Sequence, residues 1–243
     1  MRAQIVAYEE ADDAFDAFVV EPEGNEPRPA VLVCHAWGGR SAFEEDKARR
    51  LAELGYVGAA IDLYGVGRRG TDRASNAALM TALLEKPALL RRRLTAAYQA
   101  IRTLDRVDPH RMGVIGFCFG GLCAILMGRM GLPLRGAVSF HGLLKIGEKL
   151  DARPHARLLI LHGQDDPMVP PTDVGAFAQE MKRIGAQWQL HAYPGVMHAF
   201  TNPAADDPEF GTVYDPHADR HSWSEMTRFF AEVFGDESEA AAL

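Results

Sequence analysis

The chain has 243 residues, 47% of them hydrophobic, which suffices to bury one sizeable core. Its formal net charge of −7 argues against a nucleic-acid surface, which is usually basic, and it lacks the run of about 18 apolar residues that a membrane span needs. Three cysteines, an odd number, fit a reducing, cytoplasmic setting better than a disulfide framework.

The start, Met1-Arg2-Ala3-Gln4, leads into alternating strand-like residues and does not read as a signal peptide. Ala30 to Cys34 is a buried strand that ends in His35-Ala36-Trp37-Gly38-Gly39. Gly65 to Lys86 is rich in glycine and arginine before it becomes helical, which places it at the border of a pocket. Leu90, Leu94, Ala97, Tyr98, Ile101 and Leu104 then form the i, i+3, i+4 stripe of a packed helix before Asp108-Pro109, with Arg91, Arg92 and Arg93 expected on its solvent side. Short strands alternate with helices in this way along the chain. The pattern predicts an α/β fold, a mostly parallel twisted sheet with helices on both faces, as a single domain over residues 1–243.

Met112 to Phe117 reads as a short buried strand, and Leu122, Ile125, Leu126 and Met130 recur at helical spacing just after it. Between them lies Gly116-Phe117-Cys118-Phe119-Gly120, a G-x-C-x-G turn that matches the nucleophile elbow of α/β-hydrolases with sulfur in place of the serine oxygen. A second buried strand, Arg157 to Leu161, runs into His162-Gly163-Gln164-Asp165-Asp166-Pro167-Met168-Val169-Pro170. A third, Trp188 to Tyr193, precedes Pro194-Gly195-Val196-Met197-His198-Ala199-Phe200. Nucleophile, acid, histidine is the α/β-hydrolase chain order.

These residue types suit acyl transfer. Cys118 attacks as a thiolate, helped by a neighbouring imidazole and by the positive end of the helix that begins at Phe119. His198 carries the proton in both directions, and a buried carboxylate fixes its tautomer. The spacing to Val169-Pro170 favours Asp166 for that role over the adjacent Asp165. The oxyanion needs two backbone N–H groups, assigned to Phe119, the residue after the nucleophile, and to Trp37 in the loop after the early strand.

With those residues in place, the chain resembles the dienelactone hydrolase family. The matching pieces are V-L-V-C-H-A-W-G-G at 31–39, L-G-Y-V-G-A-A-I-D-L-Y-G at 54–65, G-F-C-F-G-G at 116–121, H-G-Q-D-D-P-M-V-P at 162–170 and Y-P-G-V-M-H-A-F at 193–200. The resemblance implies a single α/β-hydrolase domain without a large separate cap. It implies hydrolysis of esters or lactones through Cys118, Asp166 and His198, with no cofactor. Two departures bear on substrate. The family's glutamate after the early strand, which contacts the resting thiol, is Ala36 here. Of its two arginines for a substrate carboxylate, one position holds Asn202 and the other falls near Val66 and Gly67, with Arg68 and Arg69 close enough to substitute.

Ala36, Tyr64, Phe200 and Asn202 are candidate pocket residues, with Tyr214 a further aromatic wall, and the proline-bearing stretch Thr201 to Asp219 is a second pocket border. No metal site is expected, because His35, His141, His162 and His191 lack ligand spacing. The partner is a small-molecule ester or lactone, with no nucleic acid and no membrane, and the protein is expected to be a monomer or small homo-oligomer. Rival functions are a thiol redox protein using Cys118 with Cys123, whose side chains lie about 140° apart on a helix, and a catalytically silent binding module.

Overall fold

The computed structural model describes residues 1–145 and 150–235. The strands are β1 (Arg2–Glu10), β2 (Asp13–Glu21), β3 (Arg28–Cys34), β4 (Val57–Ile61), β5 (Val107–Phe117), β6 (Gly136–Phe140), β7 (Arg157–Gly163) and β8 (Trp188–Tyr193). They form one sheet in the order β1-β2-β4-β3-β5-β6-β7-β8. From β4 through β8 every pairing is parallel, and the antiparallel pairings are confined to β1–β2 and β2–β4. The expected mostly parallel sheet is therefore present, with an antiparallel hairpin added at one edge.

Period-two patterning explains why both faces are covered. Along β3, Ala30, Leu32 and Cys34 face one apolar cluster while Val31 and Val33 face the other. Along β5, Met112 and Val114 take the first face, Ile115 and Phe117 the second. The first cluster is closed by helices α3 (Pro87–Arg102), α4 (Phe119–Arg129) and α5 (Pro171–Arg183) through Leu94, Ile125 and Phe177. The second is closed by α1 (Ala42–Glu53) and α6 (Pro216–Gly235) through Leu51 and Phe230. Burying each such side chain contributes roughly 1.5–3 kcal/mol. Helix α2 (Arg73–Leu84) packs less deeply, with Leu83 its buried residue.

Two sequence expectations change. Strand β5 starts five residues before Met112, yet its pairing with β3 jumps from Arg28↔Val107 to Ala30↔Met112. Pro109 has no N–H to give the ladder, so this first part bulges. Arg93 is not on the solvent side of α3. It is buried, with its guanidinium bonded to the Leu63 carbonyl at 2.8 Å and to Asp13 at 2.7 Å, which satisfies the charge.

The parallel register brings the carboxyl ends of the central strands side by side, Cys34 against Gly116, Phe117 against Phe140 and Phe140 against Leu161. In open α/β sheets this edge is where ligands bind. A two-stranded ribbon, β9 (Asp206–Asp207) with β10 (Thr212–Val213), joins that edge through a bridge between Thr212 and His198.

Candidate active site

Cys118 sits between β5 and α4 at φ 56° and ψ −116°, a strained conformation for a residue with a Cβ. Two glycines make the turn possible. A Cβ on Gly116 would lie 1.9 Å from the Gly120 carbonyl oxygen, and one on Gly120 would lie 2.1 Å from that of Cys34. The Cys118 N–H is held by the Phe140 carbonyl at 3.1 Å and by His141 Nδ1 at 3.2 Å. The next amide, Phe119, is the first of α4 and has no intrahelical acceptor.

Asp166 and His198, from the loops after β7 and β8, are brought into contact. His198 Nδ1 and Asp166 Oδ2 are 2.7 Å apart, with both side chains at most 2% exposed. Asp166 Oδ1 also accepts from the Met168 N–H at 2.8 Å, so the carboxylate cannot swing away cheaply. Asp165 points out to solvent. The His198 backbone is fixed by the ribbon, its N–H donating to Gly211 at 3.0 Å and its carbonyl accepting from Val213 at 3.1 Å.

His198 Nε2 is buried, and besides Asp166 the side chain that contributes a hydrogen bond to the ring is Cys118. Burial alone pulls an imidazolium down, but the Cys118 charge and the Asp166 carboxylate outweigh it, and His198 is pushed up to about 10. His141 behaves oppositely. Burial and the neighbouring His198 charge hold it well below the usual histidine range. Because its Nδ1 accepts from Cys118, its proton is on Nε2, which donates to Thr201 Oγ1 at 2.8 Å. Its ring packs against His198 with centroids 5.1 Å apart.

The loop after β3 is braced on both sides of Trp37. Glu44, buried on α1, accepts from the Ala36 N–H at 3.1 Å, and its other oxygen accepts from the Ser41 amide at 2.9 Å and hydroxyl at 2.7 Å. Tyr64 donates its hydroxyl to the Trp37 carbonyl at 2.9 Å. His35 Nδ1 donates to the Ala36 carbonyl at 2.6 Å while its Nε2 accepts from Leu63 at 3.1 Å. Burial holds His35 below its usual range and hence neutral.

A cavity of about 670 Å³ opens at these groups, lined by Cys118, His141 and His198 together with Ala36, Trp37 and Asn202. Segments from both expected borders line it, Gly70, Arg73 and Met80 from the first and Ala204 to Asp207 and Phe210 from the second. Tyr64 and Phe200 do not line it. Tyr64 is spent on bracing the Trp37 loop, and Phe200 is fully buried against His141 and Tyr193. Tyr214 is also absent from the wall, its hydroxyl turned toward Asp219. Arg68 is largely exposed beside Asp13, and Arg69 is occupied by Asp62 and by the Arg40 carbonyl, so neither faces the cavity.

Three site residues escaped the sequence reading. Glu44 was signalled by Ser41-Ala42-Phe43-Glu44, an S-x-x-E capping box. His141 follows the apolar run of β6 at the same sheet edge as Cys118, a signal that appears only once strand order is known. Arg73 lies in the stretch expected to border the pocket, but nothing local singles it out from Arg68 and Arg69. The other two thiols, Cys34 and Cys123, are fully buried and pushed up by burial. Among the described residues no group of three or more potential ligands could hold a metal ion, and no helix is long and apolar enough to cross a membrane.

The model of the dienelactone hydrolase family matches residues 15–234. A solved structure of a dienelactone hydrolase-like promiscuous phosphotriesterase from metagenomic libraries shares 32% identity with a TM-score of 0.90, covering 96% of this chain and 98% of that one. Another, m3DLH, shares 33% identity with a TM-score of 0.91 over the same shares. A Bradyrhizobium protein described as a probable 2-oxo-3-(5-oxofuran-2-ylidene)propanoate lactonase is 26% identical over 219 residues, covering 86% of this chain and 85% of its own. The chain has the α/β-hydrolase fold, belongs to the dienelactone hydrolase family and is an ester or lactone hydrolase.

Proposed function

We propose that the protein hydrolyses small carboxylic esters or lactones through an acyl-thioester on Cys118, with His198 and Asp166 completing the triad. The observation that carries this is the buried His198, bonded to Asp166 at 2.7 Å through Nδ1, in side-chain contact with Cys118, and with its proton affinity raised by the Cys118 charge. A thiolate–imidazolium pair accounts for all three features.

In the first half-reaction the Cys118 thiolate attacks the carbonyl carbon and an S–C bond forms. The oxyanion is held by the Phe119 and Trp37 amides, each worth about 3 kcal/mol in comparable sites. The C–O bond then breaks, and the leaving oxygen takes the proton from His198 Nε2. Acylation removes the thiolate charge, the largest of the influences that raise His198, so the imidazole is released as a base at the moment one is needed. It takes a proton from water, the hydroxide oxygen attacks the thioester, and the C–S bond breaks to return the thiolate and a carboxylic acid. A neutral His141 keeps a second cation away from the pair while tying down the Cys118 amide.

The described residues build one sheet covered on both faces, and this single domain is the proposed acting unit. Three unpaired cysteines favour a reducing compartment such as the cytoplasm, and burial of Cys34 and Cys123 counts against a dithiol switch. The test is a panel of p-nitrophenyl esters and simple lactones. We expect turnover that falls by about 10³-fold or more in Cys118→Ala. Full activity in that variant, or no activity in the parent on any ester or lactone, would reject the mechanism.

A further inference from the structure

The charge lining the cavity is uneven. Among the described lining residues Glu44, Asp206 and Asp207 are acidic and Arg73 is basic. Arg73 is 60% exposed, but its guanidinium is already engaged. Its Nη2 lies 2.6 Å from Asp207 Oδ2, and its guanidinium carbon sits 4.1 Å from the centre of the Phe210 ring. Phe210 in turn stacks on Trp37, with centroids 6.0 Å apart and planes 20° from parallel. Asp207 is itself anchored, since its Oδ1 accepts from the Phe210 N–H at 2.9 Å. The clasp therefore joins α2 to the β9–β10 ribbon, next to the loop that bears the Trp37 amide and on the ribbon that bonds the His198 backbone.

We infer that the Arg73–Asp207 pair sets the charge class of the substrate: Asp207 masks the cavity's basic group and keeps carboxylate-bearing esters out. This deepens the hydrolase reading and rests on it for its biological meaning. An anionic substrate would meet a guanidinium whose charge Asp207 already balances, while facing Glu44 and Asp206. A neutral ester meets the Trp37 and Phe210 rings without that exchange. Both members of the pair are partly exposed, so the effect on selectivity is one of several-fold and is weakened by salt.

Asp207→Asn separates charge from shape, because the amide oxygen still accepts from Phe210 while Arg73 loses its counter-charge. The probes are iodoacetate and iodoacetamide, an anion and a neutral molecule of similar size. Each is attacked by the Cys118 thiolate with loss of iodide, and labelling is located by peptide mass. The iodoacetate-to-iodoacetamide rate ratio at Cys118, normalised to that of free glutathione, should rise about fivefold in Asp207→Asn. It should return toward the parent value in Asp207→Asn/Arg73→Gln, and the rise should shrink in high salt. A ratio that moves less than twofold, or that rises equally in the double variant, overturns the inference. With p-nitrophenyl butyrate and mono-p-nitrophenyl succinate the kcat/KM ratio should shift the same way. Should neither ester be hydrolysed, that result bears on the hydrolase reading alone, while the alkylation ratio still decides whether Asp207 masks Arg73.

Discussion

His198→Ala is expected to lower kcat/KM for a neutral aryl ester by about 10⁴-fold, and Asp166→Asn by about 10³- to 10⁴-fold. The two losses should not add in the double variant, since both remove one proton-transfer unit. In Asp166→Asn the amide still fills its buried place, but it no longer holds the proton on Nδ1 through the 2.7 Å contact. The pH dependence separates catalysis from structure. In the folded protein burial opposes the imidazolium, the Cys118 charge and Asp166 outweigh it, and His198 holds its proton up to about 10, against about 6.5 in an unfolded chain. A raised folded value stabilises the native state fully below about pH 6.5, and that contribution is lost as pH rises through about 10. The parent should therefore lose stability on the alkaline side in urea titrations, and His198→Ala should show a flatter profile there. A His198→Ala enzyme within tenfold of the parent would remove His198 from the chemistry.

Gly120→Ala is expected to cost more than about 4 kcal/mol, lowering the melting temperature by roughly 10 °C or abolishing soluble expression. The added Cβ would come 2.1 Å from the Cys34 carbonyl oxygen and 2.6 Å from that of His35. Both are backbone atoms at the end of β3, so relief requires moving α4 away from the sheet. Gly175→Ala, on α5, provides the contrast. Nothing lies within 4 Å of its Cβ position, and alanine there should stabilise the helix by about 0.5–1 kcal/mol. A Gly120→Ala protein melting within 2 °C of the parent would contradict the close strand–helix approach that displays Cys118.

Most of the fold was readable because its signals are local. Ala30 to Cys34 and Met112 to Phe117 are short apolar runs and Trp188 to Tyr193 alternates, and each lies in or coincides with an observed strand. Misreadings arose where tertiary partners decide. Arg93 lies beside two exposed-looking arginines in sequence, yet Asp13, 80 residues earlier, supplies the charge that lets it be buried. Tyr64 and Phe200 stand next to motif residues, but one backbone step turns a side chain from the cavity into the core. The chain order of Cys118, Asp166 and His198 was legible from three loops, and it is Asp166 that bonds His198, although telling it from Asp165 needed a spacing argument. His141 and Arg73 reach the cavity only through the order of strands and the return of the ribbon, which no local pattern encodes.

Rapid-quench mass spectrometry with a slowly hydrolysed ester tests the central claim most directly. The account predicts a mass increase equal to the acyl group on the peptide holding Cys118, formed and lost at rates that match turnover and absent from Cys118→Ala. Steady turnover with an unmodified Cys118 peptide, or an acyl group found on another residue, would contradict it.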